Sequence, residues 1–211
     1  MIKKLFALLL ALVGICSAAA VIHIGMNYTD QNPRLLSLPT VARSKVVAMM
    51  DAVCDGDYNT AGDCMLGKPS LGVDREAADR VGVLIWDAFQ ESLGYELVGE
   101  CYTTADGLAQ DITITGLDIQ SVTAQLRDRS QALLEQRVAD AEDTAEIYDE
   151  KNEYREDFVM DVLYDAAVQA LEQDATDKTV ELTIKLSYSD GSWWVIADEN
   201  LLNAISGGIL Y

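Results

Sequence analysis

From Val41 onward, apolar residues recur at three- and four-residue steps: Val41, Val46, Val47, Met50 and Val53. That spacing predicts an amphipathic helix, interrupted by Asp55-Gly56-Asp57. A second short helix carries Ala61, Cys64, Met65 and Leu66, and Gly67-Lys68-Pro69 stops it. Asp74 is placed to cap a third helix with an apolar face of Ala77, Ala78, Val81, Leu84, Ile85, Ala88 and Phe89, with Trp86 alongside and Gly94 at its end. Residues 95–103 and 108–117 have strand character around Asp106-Gly107, a strong hairpin signal. Residues 119–175 then read as a long helical section. Its stripe is Ile119, Val122, Leu126, Leu133, Val138, Ala141 and Ala145, resumed by Phe158, Val162, Leu163, Ala166, Ala170 and Leu171.

The alternation is clearest near the end. Val180, Leu182, Ile184, Leu186 and Tyr188 interleave with Glu181, Thr183, Lys185 and Ser187, the pattern of a half-buried strand. Asp190-Gly191 turns the chain, residues 192–197 return, and Asp198 caps a short helix closing at Gly207-Gly208. A two-residue turn pairs Tyr188 with Trp193, Leu186 with Val195 and Ile184 with Ala197. Trp193 then joins the apolar face. Trp194 and Ile196 fall on the other face and need cover, for which residues 119–175 are the natural source. The fold class expected is α+β: a curved antiparallel four-stranded sheet packed on N-terminal helices, with a long helical insertion between the two hairpins.

Residues 1–26 stand apart. Lys3 and Lys4 precede an uninterrupted run of low polarity from Leu5 to Ile22. Two readings stay open. One is a cleaved signal peptide, with Ala18 and Ala20 as its small residues. The other is an uncleaved anchor, the run being just long enough to span a bilayer. Either leaves the N-terminus in the cytoplasm and the rest of the chain outside. Lipidation at Cys16 would want a small residue before it, and Ile15 is not small. Residues 27–40 are polar, contain two prolines and read as a linker, which leaves 41–211 as one domain.

Composition narrows the function. The formal net charge is −20, and loss of Lys3 and Lys4 with the leader would take it to −22. Such a polyanion would repel the phosphates of nucleic acid, and anionic lipid for the same reason. Membrane association is expected only through the N-terminal segment. The single histidine, His23, lies in the leader, so the domain has no Ser–His–Asp or Cys–His relay and no imidazole for a zinc site. From Asp140 to Asp157 nine acidic residues face Lys151 and Arg155, a run that reads as a solvated face or a helix junction.

Two stretches carry a family likeness. Asp55-Gly56-Asp57-Tyr58-Asn59-Thr60-Ala61 looks like the step between the first two helices of the nuclear transport factor 2-like (cystatin-like) cone. Residues 189–196, Ser-Asp-Gly-Ser-Trp-Trp-Val-Ile, with the following Leu201-Leu202-Asn203-Ala204-Ile205-Ser206-Gly207-Gly208, resemble uncharacterised exported proteins of Gram-positive gut bacteria with that fold. The likeness covers about two thirds of residues 41–208; residues 119–175 depart from the compact cone. It implies a curved sheet wrapped on helices and carries no catalytic signature.

Candidate chemistry is sparse. Asp55, Asp57, Asn59 and Asp63 match alternate positions of a calcium loop, but Thr60 stands where glycine is needed and Leu66 where a bidentate glutamate is needed. An acidic turn capping the second helix accounts for them better, and no metal or other cofactor is expected. The cone also invites a ketosteroid isomerase-like reading, in which Trp86, Tyr95, Tyr102, Tyr188 and Trp193 would line a cavity. That chemistry needs an inward carboxylate, and the pattern places none. Cys54 and Cys64 flank the acidic turn and form a candidate disulfide in an oxidising exterior. Cys101, paired with Ile112 if the turn has two residues, should be a buried thiol. The expectation is a non-catalytic exported envelope protein binding an unknown partner or small ligand.

Overall fold

The computed structural model describes residues 39–72, 74–173 and 175–208. The leader and most of the linker, with every expectation placed on them, lie outside those residues. Among the described residues no helix is long and apolar enough to cross a membrane.

The elements run α1 (Pro39–Cys54), α2 (Tyr58–Asp63), α3 (Arg80–Ser92), β1 (Gly94–Thr104), β2 (Gly107–Leu117), α4 (Ile119–Asp140), a short 3-10 turn (Thr144–Glu146), α5 (Glu156–Gln173), β3 (Asp177–Ser189), β4 (Ser192–Val195) and α6 (Glu199–Ser206). The class is α+β, with a curved, open antiparallel sheet in the order β1-β2-β3-β4. The chain forms two compact units. One comprises the residues up to Leu71 with Tyr95–Thr113 and Glu181–Leu201; the other comprises Gly72–Gly94, Ile114–Val180 and the residues from Leu202.

In the first unit α1 begins at Pro39, inside the expected linker, because proline at the first helical position forfeits no hydrogen bond. Val46, Met49, Met50 and Val53 are fully buried on one side of it. Asp57 caps α2 by accepting from the Thr60 amide (3.0 Å) and hydroxyl (2.6 Å), so the acidic turn is a helix cap. Thr60 thereby holds the Asp57 carboxyl below its usual range.

The β3–β4 hairpin has the expected register: Leu186 opposite Val195, Ser187 opposite Trp194 and Tyr188 opposite Trp193. Asp190 and Gly191 both take positive φ (52° and 79°), the geometry of a type I′ turn. The strand stops at Val195, so no Ile184–Ala197 pair forms. On its outer edge Val195 N–H donates to the Cys64 carbonyl (3.1 Å) and Leu66 N–H to the Val195 carbonyl (2.8 Å). Residues 64–66 occupy that edge as an isolated parallel bridge and close it. Cover for the Trp194 ring, expected from residues 119–175, is supplied by α1, whose Lys45 ammonium stands 5.4 Å from the ring centroid.

The first hairpin turns one residue earlier than expected, at Ala105-Asp106, and Gly107 opens β2. Gly107 has φ +151°, and a methyl group there would come within 3.0 Å of the Leu186 carbonyl oxygen. Its glycine identity therefore serves the close approach of β3.

In the second unit the third helix starts at Arg80, capped by Asp79 through the Gly82 amide (2.7 Å). Asp74 caps only the preceding turn, accepting from the amides of Glu76 and Ala77. Asp118 caps α4, and its own N–H reaches the Thr176 carbonyl (2.8 Å). Of the expected α4 stripe only Val122 is fully buried; Leu126, Leu133 and Val138 are half-buried, and Ala145 is exposed in the 3-10 turn. A two-helix layer gives a seam of this kind, since α5 covers α4 from one side only. On α5 the close approach is made by Ala166, Ala167 and Ala170, with Val162. Arg137 pairs with Asp165 between the two helices, and Arg80 pairs with Asp161 while lying 4.9 Å from the Tyr164 ring centroid. At α6 the chain closes as expected, with Gly207 and Gly208 both at positive φ and the Gly208 amide bonded to the Asn203 carbonyl (2.9 Å).

Candidate functional site

Of the five residues considered as cavity lining, Tyr95, Tyr102, Tyr188 and Trp193 belong to the first unit and Trp86 to the second. Trp86 is buried in α3 beside Phe89, with ring centroids 5.9 Å apart. Trp193 is buried in β4 and Tyr188 packs on it at 5.3 Å, yet Tyr188 itself is 42% exposed. Tyr102 is 43% exposed and donates to Asp111 (3.1 Å). Tyr95 is half-buried and donates to Asp51 (2.6 Å); burial, and after it this bond, raises its phenol above the ordinary tyrosine value. Tyr188 and Trp193 are brought together; Tyr102 is exposed on the side of β1 that carries its even-numbered positions outward, and Tyr188 is exposed at the tip of β3, beyond the buried Ile184 and Leu186 of the same face.

Among the described residues Cys54, Cys64 and Cys101 are thiols. The candidate Cys54–Cys64 bridge is not formed, and Cys101 is buried as expected. Burial, together with the charges of Asp51 and Asp55, pushes the Cys54 thiol up to about 11, and burial raises Cys64 as well. The thiolate that would attack is therefore scarce at neutral pH at both positions. Among the described residues no group of three or more Cys, His, Asp or Glu is arranged to hold a metal ion. The buried polar residues among them are Gln110 and Ser206. Gln110 is explained locally: β1 takes positive φ at Gly99 (66°), and the Gln110 amide donates to the carbonyl of the preceding Val98 (3.0 Å).

Two exposed surfaces remain. The first is a polar row on the sheet, where Asp111 of β2 accepts from Tyr102 of β1 and from Thr183 of β3 (2.6 Å), so that its acceptor is spent on its neighbours. The second is the connection between α4 and α5. Here the chain makes a small hairpin. Tyr148 and Tyr154 form an antiparallel bridge, the Asp149 amide bonds the Glu153 carbonyl (2.8 Å), and the Arg155 amide bonds the Ile147 carbonyl (2.9 Å). Asn152 turns the loop at φ 63°, and the Asp149 carboxylate accepts from the amides of Lys151 and Glu153. Ile147 is buried beneath.

This scaffold presents three rings in succession. Tyr148 and Tyr154 stack with centroids 5.1 Å apart and planes 24° apart; Tyr154 and Phe158 follow at 6.3 Å and 19°. Tyr154 is 45% exposed. Its hydrogen bond to Tyr148 raises the Tyr148 phenol above its usual value. The stretch around the rings is the acidic run, and Arg155 is drawn to Asp157 (2.8 and 3.1 Å) within it. The sequence marks this run as a solvated face or a helix junction, and it lies at the junction of α4 and α5; the rings on it are not marked. The available signal was two tyrosines flanking an Asp-to-Glu loop with asparagine at the position that favours positive φ.

Compared with known protein families, curated proteins and solved structures, the chain gives no match to any of them.

Proposed function

We propose that this is a non-catalytic protein of the cell envelope, exported or anchored by residues 1–26, whose domain is a variant of the nuclear transport factor 2-like cone. Its task is recognition of a partner or small ligand, and the recognising element is the helical section 119–175. One observation carries the reading: a hydrogen-bonded loop, folded on buried Ile147, holds a half-exposed aromatic stack at the α4–α5 connection. Exposed rings on an ordered loop are unfavourable for a solvated linker and are common at binding surfaces. The enzyme reading draws less support, because the paired phenol and carboxylate nearest to its needs, Tyr95 and Asp51, place the carboxylate in solvent.

A photo-crosslinking residue in place of Lys151, set against one in place of Glu96 on β1, tests the reading in native envelope preparations. A discrete adduct from position 151, absent from position 96, is expected. Equal labelling from both positions, or adducts from position 96 alone, would overturn it.

A further inference from the structure

We propose that the ring stack Tyr148–Tyr154–Phe158 takes a lysine- or arginine-bearing segment of a partner protein. This deepens the reading of the same surface and rests on it. The three rings supply one aromatic surface, and Tyr154, the middle ring, is 45% exposed. Charge selects the occupant. Nine carboxylates lie between Asp140 and Asp157 against two cations, and Arg155 is already held by Asp157. An anionic segment would be repelled, and a neutral apolar one would leave those carboxylates crowded at the edge of a dry contact. A cationic side chain gains both the ring quadrupole and the carboxylates. A long side chain such as lysine or arginine can also lay its methylenes on the rings while its charge reaches the rim. The loop is ordered beforehand by its own hydrogen bonds, which lowers the cost of binding.

The probe is a labelled peptide of alternating lysine and glycine, titrated into the full chain and followed by anisotropy. Tyr154→Ala should weaken binding about five- to tenfold, and Tyr154→Phe should restore it. Glu150→Gln with Glu153→Gln, at exposed positions, should weaken it by a similar factor. The remote pair Glu96→Gln with Glu181→Gln should change it less than twofold. Equal weakening by the two Gln pairs would show attraction to the polyanion as a whole and overturn the proposal. So would full binding by Tyr154→Ala, or an absence of peptide binding. Two further readouts cover the other occupants. Tyr154-dependent binding to neutral lipid vesicles would assign the surface to a membrane, and a Tyr154-dependent dimer in sedimentation would assign it to a second copy; either overturns the proposal. An adduct at position 151 without peptide binding would leave the binding surface standing and remove only the cationic class of its occupant.

Discussion

Gly107→Ala should be among the most damaging small substitutions in the first unit, although the sequence marks the position as an ordinary hairpin glycine. The methyl group would come within 3.0 Å of the Leu186 carbonyl oxygen, and φ there is +151°. The obstructing atom is backbone of a neighbouring strand and cannot rotate away as a side chain would. Relief requires β2 and β3 to part, at a cost of about 1 kcal/mol per hydrogen bond lost. The unfavourable φ adds about 1–3 kcal/mol. Together these give about 3 kcal/mol, or a fall in Tm of about 6–12 °C for a domain of this size. Gly191→Ala is the control. Its φ is +79° with nothing within 4 Å of the added methyl, so only the conformational cost of about 1–2 kcal/mol applies. Urea and thermal unfolding by circular dichroism give both numbers. If Gly107→Ala is no worse than Gly191→Ala, the reasoning from close approach fails.

Further outcomes follow from the same contacts. Asp79→Ala should cost about 1 kcal/mol through loss of the cap on α3, and Asp74→Ala, which caps a single turn, should cost clearly less; urea midpoints decide. Trp193→Ala should cost about 3–5 kcal/mol, because a buried ring is removed from beside Tyr188 and the site cannot collapse; a loss below about 1 kcal/mol would show that Trp193 is not core. The Cys54 thiol is raised from 9.0 to about 11 in the folded chain, so its contribution to stability is whole below pH 9 and is lost as pH rises through 11. Tyr95, raised by burial and then by its bond to Asp51, acts in the same direction above pH 10. Urea midpoints at about pH 8 and about pH 11 should therefore fall in the parent and fall less in Cys54→Ala and in Tyr95→Phe; parallel falls in all three would contradict the assignment. Peptide mapping of unreduced protein should return Cys54, Cys64 and Cys101 as thiols, and a Cys54–Cys64 cross-linked peptide would show that α1 and α2 approach differently from the arrangement described.

Much of the fold was legible wherever one local rule acted without competition. Asp190-Gly191 admits one tight turn, and that turn set the whole β3–β4 register. Gly207 and Gly208 closed α6 as such glycines do. Errors arose where a distant strand or helix decides the outcome. Residues 64–66 occupy the outer edge of β4 at Val195, and no local pattern announces that. Gly107 is a glycine because of Leu186, far along the chain. Asp74 and Asp79 are both good caps, and only the packed face of α3, with Val81, Ile85 and Phe89 buried, selects the second. The α4–α5 connection was read through its charge, which describes its rim. Its three rings are scattered in sequence and meet only because Asn152 reverses the chain.

The most direct test of binding at this connection is amide shift mapping of the labelled chain during titration with the lysine–glycine peptide. The account predicts movement confined to residues 147–158, strongest at Tyr154 and its loop neighbours. Movement centred instead on Val98, Tyr102 and Asp111 of the sheet, with residues 147–158 unchanged, would contradict it.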